Sequence, residues 1–360
     1  MDAVVRPSAP KEPAIGVARF ALPQPYLLFL GDVTEPGFAK TAFGLRDWAG
    51  DRCVGEYALP GARVSLGLPS LDPVAAATRG ARSMVIGIAN AGGHIPASWF
   101  GALLEALEAG LDLVSGMHVR LSSLPGLQSA ADKYNRRLID VRTPPAGIPV
   151  ASGLKRSGQR LLTVGTDCAL GKKYTALAIV RGLTARQAKV TFRATGQTGI
   201  MIAGEGMPLD SVVADFIAGA AEVLSPNAPS DHLDVIEGQG SLFHPSYAGV
   251  ALGLLHGSQP DRFVVCHEPG RTHVLGNAGF PLPSIEQVVE LTIALGRLTN
   301  PDIRCVGVSL NTAKLDAAAA QREFESVEKR LALPVADPMR GGAAFEIGRA
   351  SCRERVFVGV

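Results

Sequence analysis

Arg160-Leu-Leu-Thr-Val-Gly165-Thr-Asp-Cys-Ala-Leu-Gly171-Lys172-Lys173 sets the fold of the second half of the chain. A short apolar run, a loop that ends in Gly-Lys and a mostly apolar stretch from Lys173 to Gln187 spell strand, phosphate loop and helix. Glycines let backbone N–H groups converge on phosphate oxygens, the helix start adds positive potential, and the lysine adds a point charge. Gly165, Thr166, Asp167, Cys168, Gly171, Lys172 and Lys173 are therefore the expected anion-binding set. Five residues separate Gly165 from Gly171, one more than in the commonest form of the loop. Lys173 stands where that form has the Ser or Thr that ligates magnesium, and Thr175 falls on a different helix face. Such a loop suits a diphosphate that is held but not cleaved, as in coenzyme A, better than it suits ATP hydrolysis.

On either side of the loop the same alternation continues. Lys189 to Ala194, Leu233 to Glu237, Phe263 to Cys266 and Ile303 to Ser309 read as further buried strands. In the first half Tyr26 to Leu30, Arg82 to Ala89, Leu111 to Val114 and Arg137 to Val141 read likewise, with a helix from Trp99 to Ala109. Strands that end in glycine turns and alternate with helices define a doubly wound α/β architecture. The proline-stiffened Thr143-Pro-Pro-Ala-Gly-Ile-Pro149 is the linker candidate. It divides the chain into residues 1–148 and 149–346.

Composition excludes several classes. Hydrophobic content of 47%, charged content of 19% and a net charge of +2 describe a folded protein with no nucleic-acid or acidic-membrane bias. The cysteines and the 7 histidines are scattered, without a metal-ligand spacing, so free thiols and no metal are expected. No apolar run reaches membrane-span length, and the first residues lack a signal-peptide core. A cytoplasmic protein with a small-molecule substrate is the expectation, and a homo-oligomer is compatible with it. Ile347-Gly-Arg-Ala-Ser-Cys-Arg-Glu-Arg-Val356 reads like the translation of a sequencing adapter, so residues 347–360 are taken as a non-native tail; a genuine basic tail is the alternative.

The long loop resembles that of dethiobiotin synthetase and the related cobyrinic-acid amidating enzymes, and Val235-Ile-Glu237-Gly-Gln-Gly240 resembles their strand-ending glutamate motif. Taken together, Ala109-Gly-Leu-Asp-Leu-Val-Ser-Gly-Met-His118, the loop, Ala194-Thr-Gly-Gln-Thr-Gly199, Asp215 to Glu222, Ile236 to Ser241 and Cys266-His-Glu-Pro-Gly-Arg271 resemble the DgcN family, once known only as a domain of unknown function. That resemblance covers roughly Tyr26 to Pro338. It implies a Rossmann-like N-terminal domain followed by a P-loop NTPase-like C-terminal domain, and an N-acetyltransferase that moves acetyl from acetyl-CoA to the amino group of D-glutamate.

Acetyl transfer to an amine needs a base, an aligned acceptor and donors for the oxyanion. Glu237, at a strand end by the loop, is the base candidate; bracing the loop by accepting backbone N–H groups is its competing role. His244 is the second base candidate, against a solvated loop histidine. Asp167 is expected to cap the following helix or orient Lys172. Cys168, near a helix start and two lysines, is expected to favour its thiolate, which leaves an acetyl-cysteine conceivable beside the default of a small loop residue. An acidic acceptor needs cationic partners, for which Arg193 and Arg271 are candidates. Arg193 could equally pair with a structural carboxylate. Gln197, in the Gly196–Gly199 stretch read as a loop, completes the substrate-binding set. Two readings compete with acetyl transfer: an Mg-ATP-dependent carboxylate-activating enzyme, and a nucleotide- or CoA-binding module without chemistry.

Overall fold

The structure, a computed structural model, describes residues 15–340; the tail read at 347–360 lies outside the described residues. The N-terminal half runs β1 (Ala18–Arg19), β2 (Tyr26–Gly31), α1 (Lys40–Ala49), β3 (Cys53–Ala58), α2 (Pro73–Thr78), β4 (Ser83–Ile86), α3 (Phe100–Glu108), β5 (Asp112–Ser115), α4 (Leu127–Lys133) and β6 (Leu138–Asp140). The C-terminal half opens with β7 (Gln159–Gly165), α5 (Lys172–Thr184), β8 (Val190–Arg193), α6 (Gln197–Ala203), β9 (Glu205–Gly206), α7 (Ile217–Leu224) and β10 (Leu233–Ile236). It closes with α8 (Ala248–Ser258), β11 (Arg262–His267), β12 (His273–Val274), β13 (Asn277–Pro281), α9 (Ile285–Gly296), β14 (Arg304–Leu310), α10 (Ala317–Leu331) and β15 (Val335–Ala336).

Two parallel sheets carry the molecule, ordered β3-β2-β4-β5-β6 and β15-β14-β11-β7-β10-β8. The apolar run of β2 is buried at all six positions, as a parallel strand covered on both faces requires. The first sheet has the flavodoxin-type order, whose chain reversal falls between β2 and β4, where such sheets usually bind ligands. Here Trp99 fills that crevice. Its ring lies so close to Gly31 that a Cβ there would sit 2.5 Å from it, and its Nε1–H donates to Asp32 at 2.9 Å.

In the second sheet β7 is central, flanked by β10 and β11, so its carboxyl end carries the phosphate loop into the middle of the sheet edge. The sheet's closest helix, α5, buries Ala176, Leu177, Ala178 and Ile179, as its apolar sequence predicted.

The two halves interlock. Ala194, Ile200 and Met201, on and just before α6, belong to the hydrophobic core of the N-terminal sheet. In return Ile15 and Val17 pack on the C-terminal core, and β1 pairs antiparallel with β9. The Gly196–Gly199 stretch is the first turn of a helix and not the loop expected of it. Glycine disfavours helix, but here the Glu237 carboxylate holds the Thr195 and Gly196 N–H groups and fixes the turn. Among the described residues no helix is long and apolar enough to cross a membrane. Cys53, Cys168, Cys266 and Cys305 are free thiols.

Candidate active site

The site is assembled where the end of β7 meets the N-terminal domain. Gly165 pairs with Cys266 of β11, and the next residue, Thr166, donates its N–H to the Cys266 carbonyl at 3.1 Å. The chain then turns through the loop to Gly171, whose φ of 107° suits glycine alone, and α5 begins. No side chain caps that helix start and no acidic residue lies in its first turn. Its backbone donors are thus left for an anion. Lys172 is buried, and its Nζ donates to the Asp167 carbonyl at 2.7 Å, folding the lysine over the loop. Gly238, after β10, passes so near β7 that a Cβ would overlap the Thr163 carbonyl and reach the Lys172 side chain.

Asp167 neither caps α5 nor orients Lys172 through its carboxylate. That group is fully buried and accepts from the Cys168 N–H at 2.6 Å, from Arg271 at 3.1 Å and from the Leu275 N–H at 2.7 Å. The loop is therefore pinned to the β12–β13 hairpin. Cys168 departs from its expected thiolate character: burial pushes its thiol up, against the pull of Lys172. Thr166 bonds its hydroxyl to His267 Nδ1 at 3.0 Å, and burial pushes that imidazole down to about 4. Thr175 turns its hydroxyl to Ser309 at 2.8 Å, on the sheet side of α5.

Lys173 leaves the cradle altogether. Its Nζ lies against Gly44 of α1, beside Thr198 of α6, in the seam between the domains. Burial lowers its ammonium to about 8, with Lys40 adding repulsion and Glu237 opposing.

Glu237 follows β10 and is buried. Its Oε2 accepts from the Thr195 N–H at 3.0 Å and from the Gly196 N–H at 3.2 Å, while Oε1 accepts no hydrogen bond from a described residue. Burial raises the carboxyl above its ordinary value, with Lys173 and the two backbone N–H groups pulling the other way. Both roles read for it, bracing and base, are thus open to one carboxylate. His244 is buried, not solvated. Its Nδ1 accepts the Ser246 N–H at 3.0 Å and its ring stacks 4.4 Å from Tyr247. Burial lowers its pKa, so the neutral ring carries its proton on Nε2 and offers no free acceptor nitrogen. One His244 nitrogen, the Cys168 sulfur and an Asp167 oxygen lie within 4.8 Å of one another.

The substrate-binding candidates are held by protein groups. Arg193 donates to the buried Asp234 at 2.8 Å. Arg271 is shared between Asp167, the Cys168 carbonyl and Glu268. Gln197 reaches into the N-terminal domain, donating to the Gly116 carbonyl at 2.8 Å and accepting from Arg142 at 3.2 Å. Arg142 continues to Asp210 at 3.2 Å and to His118. Sequence reading missed Lys40, Arg142 and Asp210 at this seam. None lies in a motif; Asp210 belongs to the loop's own domain, and only the docking of the two domains brings Lys40 and Arg142 to it.

A glycine loop of the P-loop kind at the centre of a parallel sheet, facing a second α/β domain across a seam of ionisable groups, defines a two-domain α/β protein of the P-loop class. Residues 149–346 match a P-loop domain of unknown function, DUF1611, and residues 52–144 match its Rossmann-like N-terminal companion. The chain belongs to the DUF1611 family. A relative from Tritonibacter scottomollicae named D-glutamate N-acetyltransferase is 49% identical over 89% of this chain and 96% of its own. Another of that name, from a Pseudoalteromonas species, is 47% identical over 88% and 96%. A crystal structure of a DUF1611 family protein from Anabaena variabilis superposes with a TM-score of 0.80 at 36% identity, covering 89% of this chain and 96% of that one. The fold and family that the ordered motifs implied both hold.

Proposed function

We propose that this protein is an N-acetyltransferase that moves the acetyl group of acetyl-CoA to the amino group of D-glutamate. The observation that carries the reading is the near-full-length likeness to two proteins bearing that name. The geometry supplies parts that suit it. The uncapped start of α5 and Lys172 would receive the CoA diphosphate. Lys173 in the hydroxyl position, with Thr175 turned to Ser309, leaves this loop without the magnesium ligand that ATP chemistry uses.

In the transfer the acceptor ammonium gives a proton to Glu237 Oε1, and the free amine attacks the thioester carbon. The C–S bond then breaks, the nitrogen's second proton passes to the departing sulfur so that CoA leaves as its thiol, and Glu237 returns the first proton to solvent. Glu237 is favoured over His244 as base because its Oε1 is free while the acceptor nitrogen of His244 is occupied. Its raised pKa brings a carboxylate closer to the ideal of a base poised near working pH.

The test incubates the protein with acetyl-CoA and D- or L-glutamate, following free thiol, and in parallel with Mg-ATP, following ADP. Thiol release that requires D-glutamate is the expected result. ADP formation without thiol would sink the reading in favour of carboxylate activation, and silence in both assays would leave a binding module. Lys172→Ala is expected to raise the KM for acetyl-CoA by about tenfold or more; an unchanged KM removes the loop from donor binding.

A further inference from the structure

An acceptor with two carboxylates needs cations that the protein has not already engaged, and Arg193 and Arg271 do not meet that condition. Lys40 does. It opens α1 in the N-terminal domain, its side chain is exposed, and it makes no hydrogen bond or ion pair with a described residue. Neighbouring contacts fix where it stands. Thr41, the next residue, meets Thr198 of α6 hydroxyl to hydroxyl at 3.0 Å, and both are buried. One turn along α1, Gly44 packs on Lys173 Nζ. Lys40 therefore stands over the beginning of α6, whose preceding N–H groups hold Glu237.

The groups within electrostatic reach of Lys40 are Cys168 and Lys172 of the phosphate loop, with Arg142 and Asp210 of the seam. Asp210 is already paired with Arg142. Lys40, Lys172 and Arg142 thus gather positive charge at one seam. The Lys40 side chain reaches solvent, yet the protein packed around it lowers its ammonium pKa, with repulsion from Arg142 and Lys172 adding to the effect and Cys168 and Asp210 opposing it. A bound anion offsets that repulsion.

We propose that Lys40 is the specificity-determining residue that receives the side-chain carboxylate of an acidic amino-acid acceptor. The acceptor would lie along the first turn of α6 with its amino group at Glu237. The assignment rests on the acetyl-transfer reading for the identity of the acceptor, but the carboxylate-binding site itself is measurable without turnover. Because Lys40 also stands within reach of the phosphate loop, the KM for acetyl-CoA separates a role toward the acceptor from one toward the phosphates of the donor.

The experiment compares wild type with Lys40→Met and Lys40→Arg, using D-glutamate and its neutral isostere D-glutamine as acceptors and calorimetric binding of glutarate without acetyl-CoA. Lys40→Met is expected to raise the KM for D-glutamate and weaken glutarate binding by about 10- to 100-fold, with the KM for acetyl-CoA moving less than about twofold. The preference for D-glutamate over D-glutamine should collapse by a similar factor, and Lys40→Arg should restore part of it. Equal loss for both acceptors, a raised KM for acetyl-CoA instead, or glutarate binding that does not depend on Lys40 overturns the proposal. Wild type that binds glutarate through Lys40 yet releases no thiol would defeat the transfer reading alone.

Discussion

Glu237 divides its carboxyl group: Oε2 holds the Thr195 and Gly196 N–H groups, and Oε1 accepts no hydrogen bond from a described residue, which suits the base proposed for it. Glu237→Gln keeps an oxygen for the backbone and loses the base. It is expected to lower kcat by about 10²- to 10⁴-fold in the thiol-release assay while the protein stays folded. A variant that retains full turnover would assign Glu237 to bracing only. The raised carboxyl pKa also has a stability consequence. Its contribution is fully present below the unfolded-state value and is lost as pH rises through the folded-state value, because the buried group must then ionise. Glu237→Gln should therefore gain stability relative to wild type as pH rises through that window, read as the pH dependence of the difference in denaturant midpoint. At this scale the sequence was informative where a motif fixed both type and place, as for Lys172 and Glu237. It misled where a partner was distant: Asp234, which holds Arg193, and Asp167, which holds Arg271 together with the nearby Glu268, lie 41 and 104 residues away along the chain. Lys40 carried no signal, since a lone lysine ahead of a helix is ordinary.

Among the elements, α6 departs furthest from its sequence reading. Two glycines in four residues argue for a loop, yet each serves a close approach: a Cβ on Gly199 would overlap Glu237 Oε2, and one on Gly196 would sit 2.6 Å from Gln239. The tertiary contact overrides the propensity. On the opposite side a Cβ on Gly116 would overlap Gln197. Gly116→Ala should push Gln197 out of its place between the Gly116 carbonyl and Arg142 and destabilise the protein by about 1–3 kcal/mol, seen as a lower urea midpoint. A midpoint unchanged by that substitution would mean the seam yields freely. The strands β2, β7, β10, β11 and β14 were legible because parallel strands buried on both faces are written as apolar runs. Strand β3, with its Cys-Val-Gly-Glu-Tyr-Ala sequence, was not, since its partly exposed edge position needs no such run.

Across the whole molecule the two α/β units share side chains instead of meeting at a surface. The N-terminal core is incomplete without Ala194, Ile200 and Met201, and Ile15 and Val17 cover part of the C-terminal core. Thermal unfolding is therefore expected to give one cooperative calorimetric transition, with acetyl-CoA moving that single transition upward. Two separable endotherms would show that the exchange of elements contributes little. The doubly wound class and the glycine turns at strand ends were readable from alternation and glycine placement. The exchange was not, because apolar residues in α6 look the same whichever core they enter.

Helix α6 also constrains how such a protein can be cut and rejoined. A polypeptide ending at Ile148 would lack the residues that close its own interior, and one beginning at Pro149 would present Ile200 and Met201 to water. Neither piece is a portable module to be fused to a foreign partner. Made separately, the two are complementary fragments, each the other's missing wall, and a functional cleft exists only where they have found one another.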